Sequence, residues 1–104
     1  MTQQDQSDFF KKFTAQMSSV IISKSHDYSQ TNVDVLSNFK LAGTICGLTP
    51  ELNCLSLIAT KVARLGVLLS KTDAPRNESI ADSILDLSNY SILLAMILSE
   101  KETK

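Results

Sequence analysis

A lysine lies within a run of apolar residues in the third of four predicted helices. Projected at about 100° per residue, its neighbours on that face are Cys54, Leu57, Leu65 and Leu68. A cation in such a position must pair with an acid, bind an anion or extend along its stem to water. Lys61, and Arg64 one turn later, are therefore candidate ligands for phosphate oxygens.

A row of polar side chains follows one face of the fourth predicted helix. Its members, spaced by four, four and three residues, are Glu78, Asp82, Asp86 and Asn89. Acids at this spacing commonly form a solvated face, and here they would simply pair with Lys61 and Arg64 across two helices. Alternatively the row lines a polar pocket between helices. In that case Glu78, Asp82 and Asp86 are candidate ligands for Mg²⁺.

A cation, an imidazole and an aromatic ring occur close together after the first predicted helix. Lys24, His26 and Tyr28 lie at the start of a polar segment. A single histidine in a polar loop is usually just exposed, but this combination also suits stacking on a nucleotide base and hydrogen bonding to it. Asn38, Asp82 and Asn89 are the candidate side chains for base edges or ribose hydroxyls. The sequence has no Gly-rich phosphate loop, HExxH, CxxC or GxSxG motif.

Four helices are predicted to position these side chains, over residues 7–24, 33–46, 50–70 and 78–99. Gly47 suits a left-handed helix C-cap, and Thr49-Pro50-Glu51 has the hydroxyl, proline and acid that are typical of a helix start. Residues 25–32 and 71–76 are predicted connectors, and Asn77 a cap. Residues 1–6 and 100–104 are expected to be flexible tails of a single all-α domain covering 1–104.

Two predicted helices are apolar beyond what one small core needs. The third carries a seam at heptad-like spacing, formed by Leu52, Leu55, Ala59, Val62, Gly66 and Leu69. The second half of the fourth is hydrophobic all round, which is typical of a buried helix. We therefore expect an all-α, compact four-helix domain that assembles into a helical dimer or tetramer.

Composition narrows the classes of function. The chain has 104 residues, 43% hydrophobic and 20% charged, with a net charge of -1, so no basic stripe exists for duplex nucleic acid. No run approaches about 18 consecutive apolar residues, and the polar, acidic start is unlike a signal peptide. Cys46 and Cys54 are expected to be reduced core thiols. A cytoplasmic protein without a membrane partner is expected.

Several short motifs, in order, resemble a family of small phage and prophage helical proteins known as "nucleotide modification associated" domains. The resemblance covers about residues 20 to 98. It is carried by His26-Asp27-Tyr28, Leu36-Ser37-Asn38-Phe39-Lys40, Leu48-Thr49-Pro50, Lys61-Val62-Ala63-Arg64-Leu65, Asn77-Glu78-Ser79-Ile80, Asp82 and Asp86-Leu87-Ser88-Asn89-Tyr90.

That family is distantly similar to the all-α NTP pyrophosphohydrolases (MazG-like), whose paired acidic motifs hold Mg²⁺ over nucleotide phosphates. By this resemblance Glu78, Asp82 and Asp86 match the second acidic set. The first set is missing, because the third helix has Lys61 and Arg64 where such an enzyme needs carboxylates. A one-sided acid row does not readily build the metal cluster that activates water, so the resemblance implies a site that has shifted toward binding.

Three hypotheses follow. The first is non-catalytic binding and sequestration of a nucleotide-type ligand at a subunit interface, as in a phage sponge for a cyclic dinucleotide or related host immune signal. It needs no cofactor and uses Lys24, His26, Tyr28, Asn38, Lys61, Arg64, Asp82 and Asn89. The second is a Mg²⁺-dependent nucleotide pyrophosphohydrolase or another enzyme of nucleotide metabolism. The third is a structural helical oligomer without a ligand, in which Lys61 pairs with Asp86.

Overall fold

The computed structural model describes residues 1–28, 34–71 and 77–102, and for residues 24–28 and 77–78 it describes the backbone alone. Four helices make up these ranges: α1 (Gln3–Tyr28), α2 (Ser37–Cys46), α3 (Pro50–Ser70) and α4 (Asn77–Glu102). No strand occurs within them. The all-α class and the four helices predicted from the sequence are confirmed.

The first helix is longer at both ends than the sequence pattern indicated. Thr2 and Asp5 form a reciprocal cap: the Asp5 amide donates to the Thr2 hydroxyl at 3.1 Å, and the Thr2 nitrogen donates to the Asp5 carboxylate at 3.0 Å. The Thr2 backbone hydrogen bond lowers the pKa of Asp5. Helix α1 therefore includes residues 3–6, expected as a tail, and continues through His26 to Tyr28, because no glycine or proline interrupts those polar residues.

The second helix begins later than predicted and is fixed by salt bridges at its start. The Asp34 carboxylate accepts from the Leu36 amide at 3.0 Å, which holds residues 34–36 in a turn rather than in the helix. Lys40 lies 2.6 Å from Asp34 and 2.5 Å from Glu100 at the end of α4. The hydrogen bond to Asp34, then that to Glu100, raises the pKa of Lys40. Gly47 ends α2 with a φ of 71°, confirming the predicted left-handed cap.

The third helix begins and ends where the sequence predicts. Thr49 is its N-cap and accepts from the Leu52 amide at 3.2 Å, with Pro50 in the first turn. Glu51 binds Lys101, and this contact, together with the Glu51 amide and the Thr49 hydroxyl, lowers the pKa of Glu51 to about 2. Helix α4 extends through residues 100–102, also expected as a tail. Most of the predicted 71–76 connector lies outside the described residues.

Helices α3 and α4 form the main packing unit, and they run antiparallel, as the Glu51–Lys101 and Lys61–Asp86 pairs show. Helix α2 packs on α3, and α1 packs chiefly on α4. The fully buried apolar core is small, with only Leu36, Cys54 and Ile97 in it among the described residues. The radius of gyration is 15.9 Å, against about 13 Å for a compact chain of this size. The single chain is therefore more extended than the compact domain expected from the sequence.

Large apolar side chains remain on the surface as a consequence. Examples are Phe9 and Phe10 of α1, Leu41 and Ile45 of α2, and Leu69 of α3. Cys46 is exposed, so the expectation that both cysteines are core thiols holds only for Cys54, and both thiols are free. By length and composition, Pro50–Ser70 and Ser79–Glu102 also resemble membrane-crossing helices, with mean hydropathies of 1.6 and 1.4. Mostly buried core helices of soluble proteins meet the same criteria, whereas only 11% and 17% of these two segments are buried.

Candidate functional site

A hollow of about 330 Å³ lies where all four helices approach one another. Its apolar wall is formed by Val20, Ile21, Val35, Phe39, Ala42, Leu57 and Leu93, and its polar wall by Asn38, Asn53, Asp86, Asn89 and Tyr90. We call it the Asn89 pocket. A mostly apolar hollow with a few converging polar groups is the usual form of a small-molecule site, and this volume is at the small end of the range.

Asn89 is the unusual member of this pocket. Its side chain is only 5% exposed, yet among the described residues neither its amide nitrogen nor its carbonyl oxygen has a hydrogen-bond partner. Asparagine can donate two hydrogen bonds and accept two, and leaving such a group buried and unpaired costs about 1–3 kcal/mol. The pocket therefore contains an unused donor and an unused acceptor side by side.

The neighbouring wall of the pocket is fixed by bonds to the backbone. The Asn53 amide donates to the Phe39 carbonyl at 3.4 Å, which ties α3 to α2. The Cys54 thiol donates to the Tyr90 carbonyl at 3.4 Å, which ties α3 to α4. Burial raises the pKa of this thiol, so Cys54 acts as a packed neutral group. These contacts hold Phe39, Asn53 and Tyr90 in place around Asn89.

Lys61 is paired with an acid of the same pocket. Its ammonium lies 2.9 Å from the Asp86 carboxylate, and each side chain is 24% exposed. Asp86 is thus the polar group through which Lys61 borders the pocket. The pair that the structural-oligomer hypothesis predicted is present. The polar row of α4 is therefore only partly solvated: Asp82 is exposed, whereas Asp86 and Asn89 face α3.

The structure brings together only part of the predicted ligand set. Asn38 and Asn89 both line the Asn89 pocket. Asp82 is exposed and lines a separate hollow between α1 and α4, together with Phe9 and Phe13. Arg64 is exposed on α3. The side chains of Lys24, His26, Tyr28 and Glu78 lie outside the described residues, although their backbones belong to α1 and α4.

The described side chains do not form a metal site. No three of them from among His, Cys, Asp and Glu lie close enough together to hold an ion. Asp86 is engaged by Lys61, and Asp82 is directed to the other hollow. Asp82 and Asp86, two of the three predicted Mg²⁺ ligands, therefore lie in different hollows and do not form one metal site.

Three residues of the pocket were missed from the sequence: Phe39, Asn53 and Tyr90. Phe39 is an apolar residue of α2, and such a residue alone indicates core packing rather than a binding site. Asn53 follows the cap of α3 by four residues and carries no pattern of its own. Tyr90 directly follows Asn89, and that adjacency was the available signal, since an aromatic ring beside an amide is a common base-binding combination.

Comparison with known protein families, with curated proteins and with solved structures gave no match. The likeness to the phage family stays a prediction from the residue pattern.

Replacing Lys61 with alanine is expected to destabilise the fold by about 1–2 kcal/mol, because the half-buried Asp86 carboxylate loses its contact with the Lys61 ammonium. That figure lies between the values for exposed pairs and for fully buried ones. Urea unfolding of Lys61→Ala, Asp86→Asn and the double variant gives the coupling free energy of the pair. Lys61→Met, which keeps the apolar stem, is the control for lost packing. An additive double variant would contradict a stabilising pair.

Proposed function

We propose that this protein binds a nucleotide-type ligand without converting it, and that it holds the base of that ligand in the Asn89 pocket. The observation that carries the proposal is the buried Asn89 side chain, 5% exposed, whose two amide atoms have no hydrogen-bond partner in the part of the chain that the structure describes. Buried polar groups in native proteins nearly always have a partner. A ligand with matching hydrogen-bond groups would supply the partners that the described residues do not.

The pocket's chemistry favours a flat heterocycle. A carboxamide presents a donor beside an acceptor and pairs bidentately with a base such as adenine. Phe39 and Tyr90 supply aromatic surface, which suits stacking on bases of any type. Asn38 and Asn53 add further polar groups at the same wall. A volume of about 330 Å³ suits one base rather than a whole dinucleotide.

The charges near the pocket support binding rather than hydrolysis. Activating water against a phosphoanhydride needs acids free to hold a metal. Asp86 is instead held by Lys61 at 2.9 Å, and Asp82 lines the hollow between α1 and α4. Arg64, exposed one turn beyond Lys61, is the described cation best able to meet phosphate outside the pocket.

Sequestration is the role that we propose for such binding. A protein that binds a signalling nucleotide without converting it lowers the free concentration of that signal. The resemblance to a phage family suggests a host immune signal, such as a cyclic dinucleotide, in the host cytoplasm. A two-fold symmetric ligand would place one base in each of two pockets, which a symmetric oligomer presents at equivalent positions.

The Lys61–Asp86 pair favours a second candidate function. If both charged groups serve only to join α3 and α4, the chain is a structural helical oligomer and the pocket holds water. Ordered water commonly satisfies buried polar groups. The two candidates differ in one respect, since only the first requires a ligand-dependent rise in stability that is lost with Asn89.

The test is a thermal-shift screen combined with mass spectrometry of the recovered small molecule. The panel holds adenosine and guanosine, nucleoside triphosphates, cyclic di- and trinucleotides and ADP-ribose, each with and without Mg²⁺. A ligand at about 100 times its dissociation constant stabilises the native state by about 2.7 kcal/mol. We expect a clear rise in melting temperature, independent of Mg²⁺, with the ligand recovered intact.

Two results would overturn the proposal. Conversion of a triphosphate to a monophosphate only in Mg²⁺ would establish the enzyme hypothesis. No shift with any member of the panel, at millimolar concentration, would favour the structural oligomer. Ser91→Ala is the matched control, because Ser91 is exposed on α4 and its hydroxyl bonds only the Leu87 carbonyl, at 3.0 Å. This variant should respond to ligand as the wild type does.

A further inference from the structure

The predicted apolar seam of α3 faces away from the rest of the chain. Leu52 and Leu55 are each 49% exposed, Val62 53% and Leu69 68%, and Ala59 and Gly66 are exposed between them. The inward face of the same helix carries Cys54, Leu57 and Lys61 instead. Helix α3 thus has two apolar faces, and the residues that the structure describes cover only one of them.

The surface area of the chain is large enough to include a missing interface. Its accessible surface is 7576 Å², whereas a monomer of 11.4 kDa is expected to expose about 5,800 Å². The excess of roughly 1,800 Å² exceeds the 800 Å² or so that each partner buries in a standard interface. Association of two copies through one face of standard size would remove a little under half of this excess.

We propose that the outward face of α3 pairs with the same face of a second copy, antiparallel and about a two-fold axis between Ala59 and Val62. Three layers then form on each side of the axis. Leu52 lies opposite Leu69 of the other copy, Leu55 opposite Gly66, and Ala59 opposite Val62. This dimer is independent of the proposed function, since it needs no ligand. Asn53 and Leu57 line the Asn89 pocket from the opposite face of α3, so this interface is not the one at which a single ligand would reach two pockets.

The sizes of the side chains favour the antiparallel arrangement. It places a large residue against a small one in the layers that contain Ala59 and Gly66, so both are filled. A parallel pair would instead place Gly66 against Gly66 and Ala59 against Ala59, leaving voids.

Gly66 itself supports a close partner at this point. Glycine inside a helix is less stable than alanine by roughly 0.5–1 kcal/mol, and a Cβ at Gly66 would meet nothing within 4 Å in its own chain. Intrachain packing therefore does not require the glycine. A Leu55 side chain from a second copy would require a glycine at this position, because knobs-into-holes packing needs space there.

The flanks of the seam allow a second copy and disfavour lipid. Of the positions on either side of it, only Glu51 is charged, and it is bound by Lys101; the others are Ser56, Ile58, Ala63, Leu65 and Ser70. No like charges therefore face each other across the pair. A bilayer around α3 would also surround the exposed Arg64 near the middle of the helix, and a charge there is costly.

The test is analytical ultracentrifugation of the full chain over a range of concentrations. The wild type is expected to dimerise. Gly66→Leu overfills the layer opposite Leu55 and should raise the dissociation constant by about tenfold or more. Leu55→Ala with Gly66→Leu restores one large and one small residue per layer and should recover dimerisation. Thr60→Leu, exposed beside the seam, is the matched control and should leave the dissociation constant unchanged.

Other outcomes would overturn the pairing. A wild type that stays monomeric at every concentration contradicts it. So does a wild type that does not self-associate in solution but binds phosphatidylcholine vesicles in a flotation assay. A dimer tightened by Gly66→Leu would mean parallel helices, since leucine would then fill the Gly66 layer. Circular dichroism checks that each variant folds. If Gly66→Leu alone does not fold, the double variant with Leu55→Ala still tests the pairing.

Discussion

The variant Asn89→Leu is expected to melt at a higher temperature than the wild type and to lose ligand binding altogether. Leucine removes a buried amide that has no partner, and relief of that penalty is worth about 1 kcal/mol or more. For a domain of this size each kilocalorie corresponds to roughly 4–8 °C. The same change deletes the donor and acceptor that the ligand would use. Differential scanning calorimetry with and without ligand measures both effects.

A rise in stability together with a loss of function is hard to obtain from a structural residue. If an ordered water or a chain group satisfied Asn89, Asn89→Leu would leave that group unpaired and lower the melting temperature. Asn53→Leu is an informative comparison, because Asn53 lines the same pocket but donates to the Phe39 carbonyl at 3.4 Å. That variant should lose stability. Equal losses from the two substitutions would contradict the special position of Asn89.

Gly43→Ala is expected to destabilise the fold by about 1–3 kcal/mol, reversing the gain that alanine usually brings to a helix. A Cβ at Gly43 would lie 2.7 Å from the Leu48 carbonyl oxygen. That oxygen belongs to the short backbone between α2 and α3 and has little room to move, because the Leu48 amide donates to the Gly43 carbonyl at 2.7 Å. The melting temperature should fall by roughly 5–20 °C.

Thr44→Ala is the neighbour control for this prediction. Thr44 is exposed, and its hydroxyl only returns to the Lys40 carbonyl at 2.9 Å, so its loss should change stability by less than about 0.5 kcal/mol. A melting temperature for Gly43→Ala equal to that of the wild type would mean that the α2–α3 turn adapts freely. The close approach of Gly43 to Leu48 would then not limit which residue is tolerated at position 43.

Local chemistry explains which helix boundaries the sequence could predict. The start of α3 needs only neighbouring residues, since Thr49 caps it and Pro50 follows. The end of α1 was predicted too early because polar residues such as His26 suggest a loop, yet they tolerate a helix when nothing breaks it. The start of α2 was misplaced because Asp34 forms its turn with help from Lys40, and the spacing of apolar residues does not reveal such a contact.

The candidate site was only partly predictable for a different reason. Helical spacing correctly placed Asp86 and Asn89 on one face and Lys61 within an apolar face. Which acid meets Lys61 depends on the register of α3 against α4, and that register comes from packing around Cys54 and Ile97. The lack of a partner for Asn89 is likewise a property of its surroundings. Sequence spacing identifies the polar residues, whereas tertiary contacts decide which of them remain available.

Helix α1 packs chiefly on α4, and it contributes Val20 and Ile21 to the wall of the Asn89 pocket. Proteins open first where fewest apolar contacts must break, and here that element is α1, whose Phe9 and Phe10 are exposed. Closure of the pocket and docking of α1 are consequently one equilibrium. If the proposed ligand binds there, its apparent affinity would equal its intrinsic affinity multiplied by the docked fraction, and we expect occupancy to slow amide hydrogen exchange in α1.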